Sequence, residues 1–203
     1  MDQKVTQFWL VRHGEPQEDI KGHCYGNLDV SLSAEGRRQI VRVAEHLSEA
    51  HLSAIYCSPR LRAKESARVI ATRYSLPVTI LEAFSEINFG SFEGLSYEEI
   101  ERRYPSLYQQ WMACPTEVEF PNGESFLAMR RRVCDAAQSL RRLHCGESIA
   151  IVSHGGVNRI LLASALGMPS AHIFRLAQRY AAINKIVYIE DQPVVEIVNG
   201  SCD

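Results

Sequence analysis

Residues 8–15 read FWLVRHGE, a short apolar run that ends in an arginine, a histidine, a glycine and a glutamate. An apolar run of this length is typical of a strand that is buried on both faces of a sheet. Polar residues directly after such a strand lie at its carboxyl end, where open α/β sheets bind ligands. This stretch therefore predicts one strand of a buried sheet and the first part of a functional site.

The rest of the chain alternates between short apolar runs and segments with helical periodicity. Further strands are predicted at 54–57, 78–81, 149–152, 186–189 and 194–198. Helices are predicted at 32–49 with Ser33 as N-cap, 60–74, a short segment after the capping box that starts at Ser96, 126–143 and 158–166. This order predicts the α/β class, as a three-layer αβα sandwich with a mostly parallel central sheet.

The length of 203 residues suits one domain, residues 1–203. Residues 84–125 are predicted to form a cap-like insertion, because glycines and prolines break up long elements there and aromatic residues are frequent. Most of these aromatics are expected to form a satellite core. In the functional alternative, one of them stacks on a flat substrate above the pocket.

The composition excludes several classes of function. Apolar residues make up 46% of the chain, and 22 basic against 24 acidic residues give a net charge of −2. A near-neutral chain has no general attraction to nucleic acid or to an anionic membrane, so neither is expected as a partner. The six cysteines lack the density of a disulfide scaffold, and no signal peptide or membrane span is evident. We therefore expect a cytoplasmic protein, and no oligomeric state is predicted.

Four predicted strand ends deliver residues of compatible chemistry. Arg12 and His13 follow the first strand, Arg60 the second, Glu86 the third and His154 the fourth. Arginine matches phosphate oxygens with two parallel hydrogen bonds, and neighbouring cations keep a histidine neutral and therefore nucleophilic. The set predicts phosphoryl transfer to His13, with Glu86 as general acid and a protonated His154 stabilising the transferred group.

A metal site is the alternative use of two histidines and a carboxylate. The two arginines would repel a dication, and no H-x-H or H-E-x-x-H spacing occurs. Neither a metal nor a cofactor is therefore expected.

Seven ordered motifs resemble the signature of the histidine phosphatase superfamily, also called the phosphoglycerate mutase-like family. They are LVRHGE at 10–15, Tyr25-Gly26 to Asp29, Leu32-Ser33-x-x-Gly36, Ser58-Pro59-Arg60-x-Arg62-Ala63, Glu86-Ile87-x-Phe89-Gly90-x-Phe92-Glu93-Gly94, Pro121-x-Gly123-Glu124-Ser125 and Val152-Ser153-His154-Gly155-Gly156. Within the superfamily the pattern is most similar to small bacterial phosphatases such as the alpha-ribazole phosphatases.

The resemblance implies a hydrolase that acts on small phosphorylated metabolites. It implies that His13 becomes phosphorylated, that Arg12, Arg60 and His154 bind the phosphoryl group, and that Glu86 protonates the leaving alcohol and then activates water. It further implies substrate contacts for Tyr25, Gly26, Gly155 and Gly156. The chain departs from the family at Pro16, where relatives have Thr or Ser, and at Ser66, where Thr is common.

Two other functions stay open on the sequence. A phosphoglycerate mutase would use the same nucleophile, although Arg102 and Arg103 are the only basic cluster near Glu86. A non-catalytic module that binds phosphorylated ligands is the second.

Two further expectations concern arginines: Arg62 is predicted to form a structural ion pair, and the run 130–132 to be a solvated helix face.

Overall fold

The central sheet contains six strands in the order β3-β2-β4-β1-β5-β6. The computed structural model describes residues 4–202. Its strands are β1 Val5–Arg12, β2 Ala54–Cys57, β3 Val78–Ile80, β4 Ser148–Ser153, β5 Ile183–Ile189 and β6 Gln192–Gly200. The first four are mutually parallel, β5 is antiparallel to β1, and β6 is antiparallel to β5. The predicted mostly parallel sheet is confirmed.

Helices cover both faces of this sheet. They are α1 Ala34–His46, α2 Leu61–Tyr74, α3 Tyr97–Arg103, α4 Pro105–Ala113, α5 Phe126–Leu143 and α6 Gly155–Ala165. The apolar faces of α1 and α2 join one core cluster, and those of α5 and α6 join the other. Because β4 is buried on both sides, every residue from Ile149 to Val152 is apolar. The predicted three-layer arrangement is confirmed.

Several boundaries differ from the prediction. The helix predicted over 32–49 ends at His46 and continues as a short 3-10 turn, Leu47–Glu49. Helix α6 begins three residues before its predicted start, because Gly155 and Gly156 carry no apolar signal. Strand β5 starts three residues before the predicted 186 and includes the polar residues Asn184 and Lys185.

The register of the parallel strands positions the site. Val11 pairs with Val152, and Cys57 pairs with the same residue from the other side. Strands β1, β2 and β4 therefore end level with one another, and the residues that follow them share one edge of the sheet. Within residues 4–202, none of the helices combines the length and the hydropathy that a membrane span requires.

Candidate active site

The two histidines predicted at strand ends face each other. The rings of His13 and His154 are 5.2 Å apart between centroids, in an edge-to-face arrangement. Both side chains are buried, and both line a cavity of about 550 Å³. Arg12 and Glu86 line the same cavity. The structure thus brings four of the predicted side chains together from two strand ends and one loop.

Hydrogen bonds fix the tautomer of His13. Its Nδ1 lies 2.7 Å from the carbonyl oxygen of Gly14, so Nδ1 carries the proton and donates it. Its Nε2 accepts a hydrogen bond of 3.3 Å from Arg62 Nε and therefore carries the lone pair. Burial, followed by the charges of Arg62 and Arg12, holds the pKa of His13 well below its ordinary value. These surroundings favour a neutral imidazole whose Nε2 carries the lone pair.

His154 forms a hydrogen bond with the hydroxyl group of Ser58, the residue that follows β2. Its Nε2 lies 2.7 Å from Ser58 Oγ, and this oxygen also accepts the backbone N–H of Arg60 at 3.2 Å. The Ser58 proton is thus free to be donated to Nε2, which leaves the ring proton on Nδ1. Within residues 4–202, Nδ1 is buried without a hydrogen-bond partner. It is a ready donor for an oxygen of a bound phosphoryl group.

The surroundings of His154 disfavour the predicted imidazolium. Burial lowers the pKa of His154 well below its ordinary value, and the charges of Arg62, Arg12 and Arg60 lower it further. An anion bound against the ring would favour the imidazolium and raise this pKa.

Two arginines flank His13. Arg62 is 1% exposed and donates from its two Nη atoms to the carbonyl oxygens of Gly26 and Leu28, at 2.9 and 2.8 Å. The guanidinium of Arg12 lies 4.2 Å from the centre of the Tyr180 ring and donates to the carbonyl oxygen of Gln178. Both arginines face His13 without a carboxylate partner in the described chain. Their charge remains available to a substrate dianion.

The structure places Arg62 in the cavity wall, where Arg60 was expected. Arg60 donates to the carbonyl oxygen of Asn27 at 2.7 Å, lies 3.9 Å from Glu82, and does not belong to the cavity wall. Arg62, predicted to form a structural ion pair, lines the cavity and contacts His13. The reason is local: Arg60 is the extended N-cap residue of α2, whereas the side chain of Arg62 points back past the helix N-terminus.

Two helix N-termini add a favourable field for anions. Helix α2 begins directly after Arg60, and α6 begins directly after His154. Neither helix has an acidic residue in its first turn. The positive ends of two helix dipoles therefore point toward the two histidines, which suits a phosphoryl group.

Glu86 reaches the cavity from the loop between β3 and α3. One carboxylate oxygen accepts the N–H of Gly156 at 3.0 Å, and the other accepts its own neighbour's N–H, that of Ile87, at 3.0 Å. A Cβ on Gly156 would lie 2.2 Å from this carboxylate, so a side chain at position 156 would displace it. Two other glutamates lie near Glu86 in the sequence. Glu82 is exposed, and Glu93 accepts hydrogen bonds from the N–H groups of Asn27 and Phe89.

The opposite end of the cavity is apolar. It is lined by Ile87, Phe89, Tyr97, Trp111, Met112, Pro115, Phe120, Phe126, Met129, Ile173 and Phe174. Tyr97 stacks on Trp111 at 5.7 Å between ring centroids, and Phe89 and Phe120 pack edge-to-face at 5.0 Å. Several of the aromatics predicted to form a satellite core therefore form a wall of the pocket as well.

The other residues predicted to contact substrate lie in or beside the cavity wall. Tyr25 lines it and shares a hydrogen bond of 2.9 Å with the hydroxyl of Tyr180. Gly26 lines it and gives its carbonyl oxygen to Arg62. Gly155 lies against Arg12, since a Cβ there would be 3.5 Å from Arg12 Nε. Ser66, the substitute for the usual Thr, accepts the N–H of Gly14 at 3.2 Å.

Sequence reasoning missed three residues of this site. Arg62 was assigned elsewhere, and Tyr180 and Arg159 were not considered. Tyr180 is 5.8 Å from the His13 ring between centroids, and Arg159 lines the cavity from α6. Arg159 lies four residues after Gly155 and therefore on the same face of α6, which is a usable signal. Tyr180 belongs to an irregular loop before β5 and carries none.

Comparisons with known proteins show the family to which the chain belongs. The model of the histidine phosphatase superfamily (branch 1) matches residues 8–200, so the chain belongs to this superfamily. It is 31% identical over 198 residues to phosphoserine phosphatase 1 of Hydrogenobacter thermophilus, covering 98% of this chain and 94% of that protein. It is 31% identical over 169 residues to the adenosylcobalamin/alpha-ribazole phosphatase of Escherichia coli, covering 81% of each chain.

A solved structure extends the likeness to the fold. The alpha-ribazole phosphatase from Shigella flexneri superposes with a TM-score of 0.87 at 28% identity, covering 96% of each chain. The protein is accordingly a phosphatase, a hydrolase of phosphoric esters.

Proposed function

We propose that the protein is a phosphomonoesterase that works through a phosphohistidine at His13. The observation that carries this proposal is the fixed tautomer of His13: its Nε2 lone pair faces the cavity edge between Arg62 and the His154 ring. A neutral, immobilised nitrogen nucleophile beside unpaired guanidinium groups suits attack on a phosphoryl dianion.

The first half-reaction transfers the phosphoryl group to the enzyme. Nε2 of His13 forms a bond to phosphorus while the ester P–O bond breaks, and a protonated Glu86 gives its proton to the departing alkoxide. Arg12, Arg62 and Nδ1 of His154 stabilise the charge on the equatorial oxygens. Arg60 contributes through its charge at longer range, since it acts on His154 but lies outside the cavity wall.

The second half-reaction returns the enzyme to its starting state. The Glu86 carboxylate takes a proton from a water molecule whose oxygen attacks phosphorus, and the bond to Nε2 breaks. The products are inorganic phosphate, neutral His13 and protonated Glu86. No step requires a metal ion, so we expect full activity after dialysis against EDTA. Loss of activity that is restored by a divalent cation would contradict this proposal.

The apolar end of the cavity supports a small phosphorylated metabolite with a flat or apolar alcohol as the substrate. Aromatic walls stabilise such a group by stacking and by burial. Alpha-ribazole 5'-phosphate, a benzimidazole riboside ester, meets this description, and two similar proteins carry the name alpha-ribazole phosphatase. We further propose that residues 84–125 form the cap that supplies this wall.

A phosphate-release screen tests the assignment. Alpha-ribazole phosphate, phenyl phosphate, phosphoserine, 3-phosphoglycerate and nucleotides are compared by kcat/KM, with His13→Ala as the background. We expect the aromatic esters to lead. Release from phosphoserine at the highest rate would contradict the proposed substrate class, and no release from any ester would contradict the enzymatic function.

The products formed from 3-phosphoglycerate in the same screen distinguish a phosphatase from a mutase. Arg102 and Arg103, the basic pair near Glu86 in the sequence, are exposed on α3 and do not belong to the cavity wall. We therefore expect phosphate release from 3-phosphoglycerate without isomerisation to 2-phosphoglycerate.

A further inference from the structure

Arg132 connects helix α5 to the loop that carries Glu86. Its guanidinium donates to the carbonyl oxygens of Ala83 and Ser85, each at 2.8 Å, and of Glu86 at 3.3 Å. Its neighbours Arg130 and Arg131 are exposed. The predicted solvated face is therefore wrong for Arg132, because this residue lies next to the buried stripe of α5 and turns toward the loop.

A carboxylate holds the same guanidinium from the other side. Both oxygens of Glu124 accept hydrogen bonds from Arg132, each at 2.7 Å. The backbone N–H of Glu124 donates to the carbonyl oxygen of Asn88 at 2.9 Å. Residues 83–88 are thus fixed at three carbonyl groups by Arg132 and at a fourth by Glu124. A bidentate pair with fixed geometry is the strongest form of such a contact.

Two backbone N–H groups hold the Glu86 carboxylate in its position. It accepts the N–H of Gly156 at 3.0 Å and that of Ile87 at 3.0 Å. A shift of the loop would separate the carboxyl group from the N–H of Gly156 and from the leaving-group oxygen. Displacements of about 1 Å in a reacting group cost on the order of 100-fold in rate.

We propose that Arg132 is a positioning residue for Glu86, and that it acts on leaving-group protonation without touching the substrate. Arg132 does not belong to the cavity wall, so the effect passes through the loop backbone. This inference rests on the proposed role of Glu86 as general acid. It assigns Glu124 as the residue that orients Arg132.

Two esters with the same ring and different leaving groups provide the test. Phenyl phosphate releases a poor leaving group that needs protonation, whereas p-nitrophenyl phosphate releases a good one. In the Glu86→Gln variant, kcat/KM for phenyl phosphate should fall about 100-fold, and that for p-nitrophenyl phosphate only about 3-fold. Arg132→Gln should show the same selectivity at about 10-fold against about 2-fold. Arg131→Gln, which removes the same charge from the exposed surface of α5, should match the parent on both esters.

Two further variants separate positioning from general damage. Arg132→Gln combined with Glu86→Gln should be no slower on phenyl phosphate than Glu86→Gln alone, because no acid remains to be positioned. Glu124→Gln keeps Arg132 and should show a weaker selective loss, which provides a reading even where Arg132→Gln does not fold. Equal losses on both esters in Arg132→Gln, or an additive loss in the double variant, would overturn the inference. Equal losses on both esters in Glu86→Gln would instead overturn the proposed acid.

Discussion

The two ends of the active-site cavity are built in different ways. At the phosphoryl end, His13, Arg62 and His154 are buried and each is fixed by hydrogen bonds to backbone or hydroxyl groups. At the leaving-group end, the wall consists of apolar side chains. Tyr97 and Phe120, for example, each pack against the ring of Trp111. The residues of the first end follow strands of the sheet or lie at the start of a helix, whereas many residues of the second end belong to the segment 87–126. In the proposed function, the chemistry depends on residues held by the sheet, and the choice of substrate depends largely on residues 87–126.

Replacing the arginines at the phosphoryl end should give the largest effect. Arg62→Gln removes the guanidinium that contacts Nε2 of His13, and we expect kcat/KM to fall between about 100-fold and 1,000-fold on every ester. Arg60→Gln removes a charge outside the cavity wall and should cost about 10-fold or less. Steady-state kinetics on phenyl phosphate distinguishes them. A greater loss in Arg60→Gln than in Arg62→Gln would restore the assignment made from the sequence.

The two buried histidines at the phosphoryl end should also make the free energy of unfolding depend on pH. The pKa values of His13 and His154 are lowered in the folded protein, while the unfolded chain has the ordinary value near 6.5. Below this value the unfolded state binds protons that the folded state does not, so stability is lost as the pH falls. Each histidine contributes a slope of up to about 1.4 kcal/mol per pH unit.

Urea unfolding between pH 7.5 and pH 5 measures this slope. His13→Asn should flatten the loss of stability by one histidine's share, whereas His46→Asn, at an exposed position on α1, should leave the slope as in the parent. An unchanged slope in His13→Asn would mean that His13 is not held neutral by the fold.

A substitution at the leaving-group end should change binding without changing the chemistry. Tyr97→Ala removes a ring that lines the cavity and stacks on Trp111, and it should raise KM for phenyl phosphate about 5-fold. Inhibition by inorganic phosphate should be unaffected, because phosphate occupies the other end. A parallel loss of phosphate inhibition would show that the two ends are not independent.

The difference between the two ends of the cavity also explains which residues of the site could be predicted from the sequence. The strand-end rule placed Arg12, His13 and His154 near one another because it depends only on strand order and direction. It favoured Arg60 over Arg62, which is two residues further along the chain, because the choice depends on the residue at which α2 begins.

Residues outside the sheet were harder to predict. Periodicity identified the buried stripe of α5 but says nothing of hydrogen bonding, so Arg132 was assigned to the solvent. Tyr180 is brought to His13 by the tertiary packing of a loop without any motif. Helix α3 followed from the capping box at Ser96, whereas α4 was not predicted. The wall that this segment builds depends on long-range ring contacts, which no local pattern indicates.

Trapping of the covalent intermediate tests the central claim most directly. The enzyme is mixed with a phosphorylated aromatic ester, quenched in denaturant at alkaline pH to preserve a nitrogen–phosphorus bond, digested and sequenced by mass spectrometry. One phosphoryl group is expected on the peptide that contains His13, with none in His13→Ala and more in Glu86→Gln if loss of the base slows hydrolysis of the intermediate. Turnover without any phosphopeptide, or a label that persists in His13→Ala, would contradict the account.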